Sequence, residues 1–161
     1  MRARALLVPF AAAFVCLTLT ARADAPAGQY DSFSKASPAI RDKNTLLIWQ
    51  RYGVVASNGT LADAVIECGK AQSLGGSGRL PTVKELLTLV DEDPHGEASS
   101  NGTVDPRAID RNAFPATPVD ARYLATEAGG GVWLVSFTDG SVQWQSSLTP
   151  PRHYVRCVRA E

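Results

Sequence analysis

The sequence predicts a small α+β domain, two helices flanked by short antiparallel strands, and three observations predict it. Two stretches carry helix start signals: Thr60-x-x-Asp63 and Thr82-x-x-Glu85 each set a hydroxyl acceptor before the first turn and an acid three residues on. The last third alternates with period two through Trp133, Val135 and Phe137, then Val142 and Trp144, with Asp139-Gly140 between the runs as a hairpin turn. Beyond Cys16 the chain has two cysteines, Cys68 and Cys157, one in the first helix and one near the chain end.

The chain opens with Met1-Arg2-Ala3-Arg4, an apolar run from Ala5 to Leu19, and Ala21-Arg22-Ala23, which fits a small-residue cleavage site. Residues 1–23 read as a secretory signal peptide, since the apolar run is shorter than the roughly 20 residues that cross a bilayer. Cys16 is preceded by Ala13-Phe14-Val15 and followed by Leu17, so it lacks the small residue before and polar residue after that a lipidated cysteine takes. No later stretch is long and apolar enough to span a membrane, and the expected location is periplasmic or extracellular. Arg2, Arg4 and Arg22 fall in the leader, leaving 13 of the 16 basic residues against 16 acidic ones. The exported part is mildly acidic, which disfavours a nucleic-acid surface. In an oxidising compartment an isolated cysteine pair is expected to be a disulfide; neither cysteine has the C-x-x-C setting of a redox thiol. Closing a loop of about 90 residues is worth roughly 4 to 5 kcal/mol in the chain-entropy model.

Asp24 to Ser37 is small and polar and reads as a lead-in, with Tyr30 beginning an edge strand. Ala39-Ile40 and Leu46-Leu47-Ile48-Trp49 flank the turn cluster Asp42-Lys43-Asn44, so a β-hairpin is expected, with Trp49 in the core. From Thr60 the spacing Leu61, Val65, Cys68 and Ala71 makes a helical stripe that puts Cys68 on the buried face. Gly75-Gly76-Ser77-Gly78 ends this helix as a turn: it lacks the Gly-Lys-Ser/Thr of a phosphate loop, and Arg79 occupies the last glycine position of a nucleophile elbow.

Arg79-Leu80-Pro81-Thr82-Val83-Lys84-Glu85 follows. Pro81 keeps Leu80 extended, Thr82 caps the first turn, and Glu85 completes a capping box. Val83, Leu86, Leu87 and Val90 fall on one helical face, which predicts a core helix organised for packing.

Asp91 to Asp120 is long and irregular. Its first part groups acids around His95 without the spacing of a calcium loop or a second histidine, so no metal is expected. Asn58-Gly59-Thr60 and Asn101-Gly102-Thr103 match glycosylation sequons. Ile109 and Phe114 are expected to plug the loop into the core, and a loop of this length in a compact domain is usually functional or disordered. Tyr123 to Thr126 reads as a strand, and Tyr154 to Arg159 closes the sheet with Val155 and Cys157 on one face and Tyr154, Arg156 and Val158 on the other.

Taken together, Leu46-Leu47-Ile48-Trp49-Gln50-Arg51, the helical cysteine, Arg79-Leu80-Pro81-Thr82-Val83-Lys84-Glu85-Leu86, Ile109-Asp110 with Phe114-Pro115, Trp133-x-Val135-x-Phe137-x-x-Gly140 and Tyr154-Val155-Arg156-Cys157-Val158-Arg159 resemble the bacterial Lcl C-terminal domain family. The resemblance runs from about Tyr30 to Arg159. It implies a C-type-lectin-like domain over residues 38–160 after the lead-in 24–37: two helices flanking small antiparallel sheets, a long loop, and a disulfide between Cys68 and Cys157. Some members end collagen-like adhesins that bind sulfated polysaccharides. Members usually carry tryptophan at the positions of Gly78 and Leu61, and an aromatic-serine run at Tyr123-Leu124-Ala125-Thr126. The calcium-lectin triplets are absent, and the nearest trace, Trp144-Gln145-Ser146, has no carboxylate.

These readings lead to a non-catalytic exported binding module that recognises a polysaccharide or an extracytoplasmic protein without calcium or any cofactor. The structural motif is Arg79, Leu80, Pro81, Thr82, Glu85, Trp133 and Arg156. The expected ligand surface comprises Asp110, Arg111, Tyr123 and Trp144. Arg79 and Arg156 are expected to pair internally, with acids such as Asp91 or Asp110. The alternatives are a structural subunit of an envelope assembly and an enzyme akin to the formylglycine-generating oxidases, whose chemistry needs reactive cysteines.

Overall fold

The computed structural model describes residues 28–34, 37–56, 60–91, 107–118, 120–127, 132–146 and 153–161. The segment read as a signal peptide, the first part of the lead-in, the acid cluster around His95, the Asn101 sequon and the asparagine and glycine of the Asn58 sequon lie outside these residues. No helix among the described residues is long and apolar enough to cross a membrane.

Two sheets carry the fold. The first has the order β1 (Tyr30–Ser32), β2 (Ala39–Asp42), β3 (Leu47–Gln50) and β9 (Val158–Ala160), all antiparallel. The second has the order β4 (Val54–Val55), β8 (Tyr154–Val155), β5 (Arg122–Ala125), β6 (Val132–Ser136) and β7 (Val142–Gln145). Its strands are antiparallel except for the pair β5 and β8. The β2–β3 hairpin forms as expected, but Leu46 belongs to the turn, at φ 58°, rather than to the strand. Buried Asp42 holds that turn by accepting from the Asn44 amide at 2.9 Å. The stretch from Tyr154 to Arg159 does not run as one strand. It breaks at Arg156 and Cys157, so β8 serves the second sheet and β9 the first, while the facing of its side chains stays as the period-two pattern predicts.

Helix α1 (Leu61–Gly69) starts at Thr60, whose hydroxyl accepts from the Asp63 amide at 3.1 Å. Ala64 and Cys68 are its buried residues. Val65, expected on the buried stripe, is 51% exposed. The sheet touches this nine-residue helix along the narrow Ala64–Cys68 line, and Leu61 only flanks it. Helix α2 (Val83–Leu87) has the full capping box: the Glu85 amide donates to Thr82 Oγ1 and the Thr82 amide to Glu85 Oε2. It is one short helix, closing at Thr88, so the predicted face holds for Val83 and Leu86 and then lapses. Leu87 is 38% exposed, and Leu89, in the following turn, takes the buried place. Helical periodicity stops predicting burial where the helix stops.

The disulfide joins Cys68 to Cys157, with Cα atoms 5.2 Å apart, and ties α1 to the segment between the last two strands. Around it pack Ala64, Leu74, Leu80, Leu124, Leu134 and Val155. The opposite side of the second sheet faces a larger cluster that contains Trp49, Leu86, Phe114, Tyr123, Val135 and Phe137. Arg79 to Thr82 binds the two sheets together: Arg79 exchanges main-chain hydrogen bonds with Val158, and the Thr126 amide donates to the Pro81 carbonyl. The Gly78 backbone passes so close to α1 that a Cβ there would stand 2.6 Å from the Cys68 carbonyl oxygen. This backbone therefore has no space for a side chain at position 78.

Candidate functional site

Residues 107–118, the described part of the Asp91 to Asp120 stretch, form a loop built on its own polar groups. Asp110 Oδ1 accepts from the amides of Asn112 and Ala113, at 2.8 and 3.0 Å, and its carbonyl accepts from the Phe114 amide. Such an aspartate turn tightens the chain without a regular element. Ile109 and Phe114 are buried, as expected of plugs, and Ala108 donates its amide to the Phe137 carbonyl. Arg51, from the end of β3, grips the outside: its Nε donates to the Ala113 carbonyl at 3.0 Å and its Nη2 to the Asn112 carbonyl at 2.8 Å.

Arg156 grips the same loop from inside. It is fully buried, and it donates to the Gln50 and Arg51 carbonyls and to Thr117 Oγ1, at 3.0, 2.7 and 2.8 Å. The rings of Phe114, Tyr123 and Phe137 surround its guanidinium, with centroids 4.5, 5.3 and 6.0 Å from the central carbon. The expected pairing with Asp91 or Asp110 is thus replaced by carbonyls, a hydroxyl and aromatic faces. The face that Arg156 shares with Val158 packs onto the aromatic cluster, which leaves this side chain among rings and main-chain oxygens. Burial lowers its pKa, and Tyr123 and Tyr30 partly restore it. Arg79 does pair with an acid, making a forked contact with Glu85 at 2.6 and 2.8 Å. Glu85 therefore serves the helix cap and the arginine at once, and the Arg79 contact holds its carboxyl below its ordinary pKa.

The expected ligand-surface residues separate. Tyr123 is fully buried between Phe137 and Tyr154 and belongs to the core. Arg111 is half-buried beside Asp110. Trp144 stands on β7, the outer strand of its sheet, and is 54% exposed. It lies directly across from half-buried Trp133 in register, with 39%-exposed Val142 two residues before it on the same face. Trp133, Trp144 and Val142 make an apolar strip on one face of the strand pair, while Gln143 and Gln145 point to the other.

Asp110 instead lines a cleft of about 390 Å³ on the other sheet's edge, with Gly28, Tyr30, Ser32, Ile40, Arg51, Asn112 and Ala113. The Tyr30 ring meets the Phe114 ring edge to face, with centroids 5.2 Å apart. Its hydroxyl pKa is raised, first by burial and then by Asp42, Asp110 and Asp91. The sequence marked Asp110 but not Tyr30, Ser32, Arg51 and Asn112, which pairing of β1 with β2 and docking of the loop bring together. The Asp110-x-Asn112 turn pattern is the one local signal for that docking. Among the described residues no group of three His, Cys, Asp or Glu side chains is arranged to hold a metal ion.

No curated protein and no solved structure matches the chain. Residues 38–159, which take in the disulfide, both helices, the Trp144 strip and most of the cleft, match the sequence model of the Lcl C-terminal domain, and the chain belongs to that family.

Proposed function

We propose that this protein is an exported, non-catalytic binding module with a C-type-lectin-like fold, and that it recognises polysaccharide through the Trp144 strip without calcium. The observation that carries this reading is Trp144 itself: a large aromatic ring, 54% exposed, on a sheet edge beside Val142. An exposed aromatic face of this kind can stack on the C–H face of a sugar ring. The strip has no carboxylate to bind a cation. Two further features support a binding role over an oxidase-like one. Cys68 and Cys157 are fully buried and joined to each other, so neither is a free nucleophile. The motif arginines Arg79 and Arg156 are engaged within the fold.

Retardation in affinity electrophoresis through gels containing neutral or sulfated polysaccharides tests the reading, with and without a chelator. Retardation that persists with chelator and disappears in Trp144→Ala is the expected result. Retardation abolished by chelator, or unchanged in Trp144→Ala, overturns it. Retention instead by an envelope protein fraction, with none by polysaccharide, gives the site to a protein partner.

A further inference from the structure

The cleft beside Asp110 is separate from the Trp144 strip, which contributes none of its lining residues. Its floor is apolar and rigid. Ile40 and Ala113 are buried there, and the Tyr30 ring is held in place by its edge-to-face contact with Phe114. Its rim is polar and uncommitted. Asp110 spends Oδ1 on the loop amides, while Oδ2 makes no hydrogen bond to a described residue. The side chains of Ser32 and Asn112 are exposed. At about 390 Å³ the space lies at the small end of ligand pockets, which run from roughly 300 to 1,000 Å³.

Charge narrows the ligand class. An anion entering the cleft meets the second carboxylate oxygen of Asp110, and the negative charges of Asp42 and Asp91 also act on Tyr30 in its wall. A cation meets the Arg51 guanidinium in the wall and the Lys43 ammonium near Gly28 at the rim. Both signs are present and neither dominates. Arg51 already gives Nε and Nη2 to the Ala113 and Asn112 carbonyls, so the carboxylate of an anion or a zwitterion finds no fork there. What remains complementary is an uncharged molecule that offers hydroxyls as donors to Asp110 and as acceptors to Asn112 and Ser32, and an apolar face to Tyr30 and Ile40. We propose that this cleft is a second binding site and that it takes a single neutral sugar ring or a cyclic polyol of that size.

The test is a titration of the isotope-labelled, oxidised protein with methyl α-glucoside, methyl α-mannoside and methyl β-galactoside, followed by amide and side-chain NMR shifts. Glucuronate and glucosamine serve as the charged counterparts. Saturating shifts at Tyr30, Ser32, Asp110 and Asn112 with at least one neutral glycoside are expected, and affinity about tenfold weaker for both charged sugars, the factor that one unfavourable charge contact of 1.4 kcal/mol produces. Ser32→Trp, at an exposed strand end, fills the cleft and is expected to abolish the shifts. Asp110→Asn keeps the Oδ1 acceptor that the loop needs and removes the second carboxylate oxygen; about fivefold weaker binding is expected from one lost hydrogen bond. Asn112→Ala, also exposed, gives an independent reading should either variant fail to fold. No shift with any neutral glycoside overturns the proposal, as does equal or tighter binding of a charged sugar. Shifts confined to the Trp144 indole and Gln143 assign the sugar to the strip and likewise overturn a separate site.

Discussion

The Arg156 guanidinium lies over the Phe114 ring, 4.5 Å from its centroid, and hydrogen-bonds at the same time to Thr117 three residues further along. One buried side chain thereby fixes the loop that carries Asp110. Arginine suits this place because its planar group can stack on a ring while its edge donates, which the compact lysine ammonium cannot do. Arg156→Lys is expected to lower stability by roughly 2 kcal/mol, the scale of lost hydrogen bonds to a charged group. Urea unfolding followed by tryptophan fluorescence measures it, and a change under about 0.5 kcal/mol, the range of an ordinary surface substitution, would contradict the role assigned to this residue.

The Cys68 to Cys157 disulfide closes a sequence separation of 89 residues. Cys68→Ala with Cys157→Ala should cost roughly 2 to 5 kcal/mol, less than the entropic maximum where the native backbone relaxes. A thiol count on the denatured, unreduced protein should find neither cysteine free. Two reactive thiols there would remove the structural basis of this prediction and reopen a redox role.

Acid should weaken the contact between Arg79 and α2. Glu85 has a folded-state pKa below its ordinary value, chiefly through the Arg79 hydrogen bonds. Its contribution is therefore complete above the unfolded pKa, roughly 4.3, and is lost as pH falls through the lower folded value. Glu85→Gln, which keeps an acceptor for the Thr82 amide, should flatten the fall in thermal midpoint below about pH 4.3. An unchanged acid slope in that variant would show that other carboxylates dominate.

Thr82→Ala removes the cap hydroxyl from a helix of one turn and a half and should cost about 1 kcal/mol. Thr60→Ala at α1 should cost a similar amount or less, since its bond to Asp63 is exposed. Equilibrium unfolding of the two variants side by side gives the comparison, and a larger loss at Thr60 would reverse it.

Gly53 is expected to tolerate no side chain. A Cβ there would stand 2.7 Å from the Tyr123 hydroxyl oxygen and 2.8 Å from its ring. Because Tyr123 is clamped among Phe137, Tyr154 and Arg156, it has little room to give way. Gly53→Ala should destabilise by roughly 1 to 3 kcal/mol, as overpacking does. A thermal midpoint equal to that of the parent would show that the ring moves freely.

What the sequence by itself determined was local or pairwise: the caps at Thr60 and Thr82, the β2–β3 and β6–β7 hairpins, Trp49 in the core, and the cysteine pair. Each is written in residues a few positions apart or, for the cysteines, in their being the two that lie beyond Cys16. Tertiary structure decided the rest. Val65 and Leu87 sit at helical positions that predict burial, yet a short helix buries only the line where a sheet touches it. Arg156 is expected to pair with a carboxylate, but its face of the strand packs onto aromatic rings and carbonyls. Tyr123 was expected at the surface and fills the core, while Tyr30, Arg51 and Asn112, distant in sequence, meet Asp110 at one cleft. Periodicity and capping reflect a residue's own neighbours, whereas burial and site geometry depend on which surfaces the finished fold presses together.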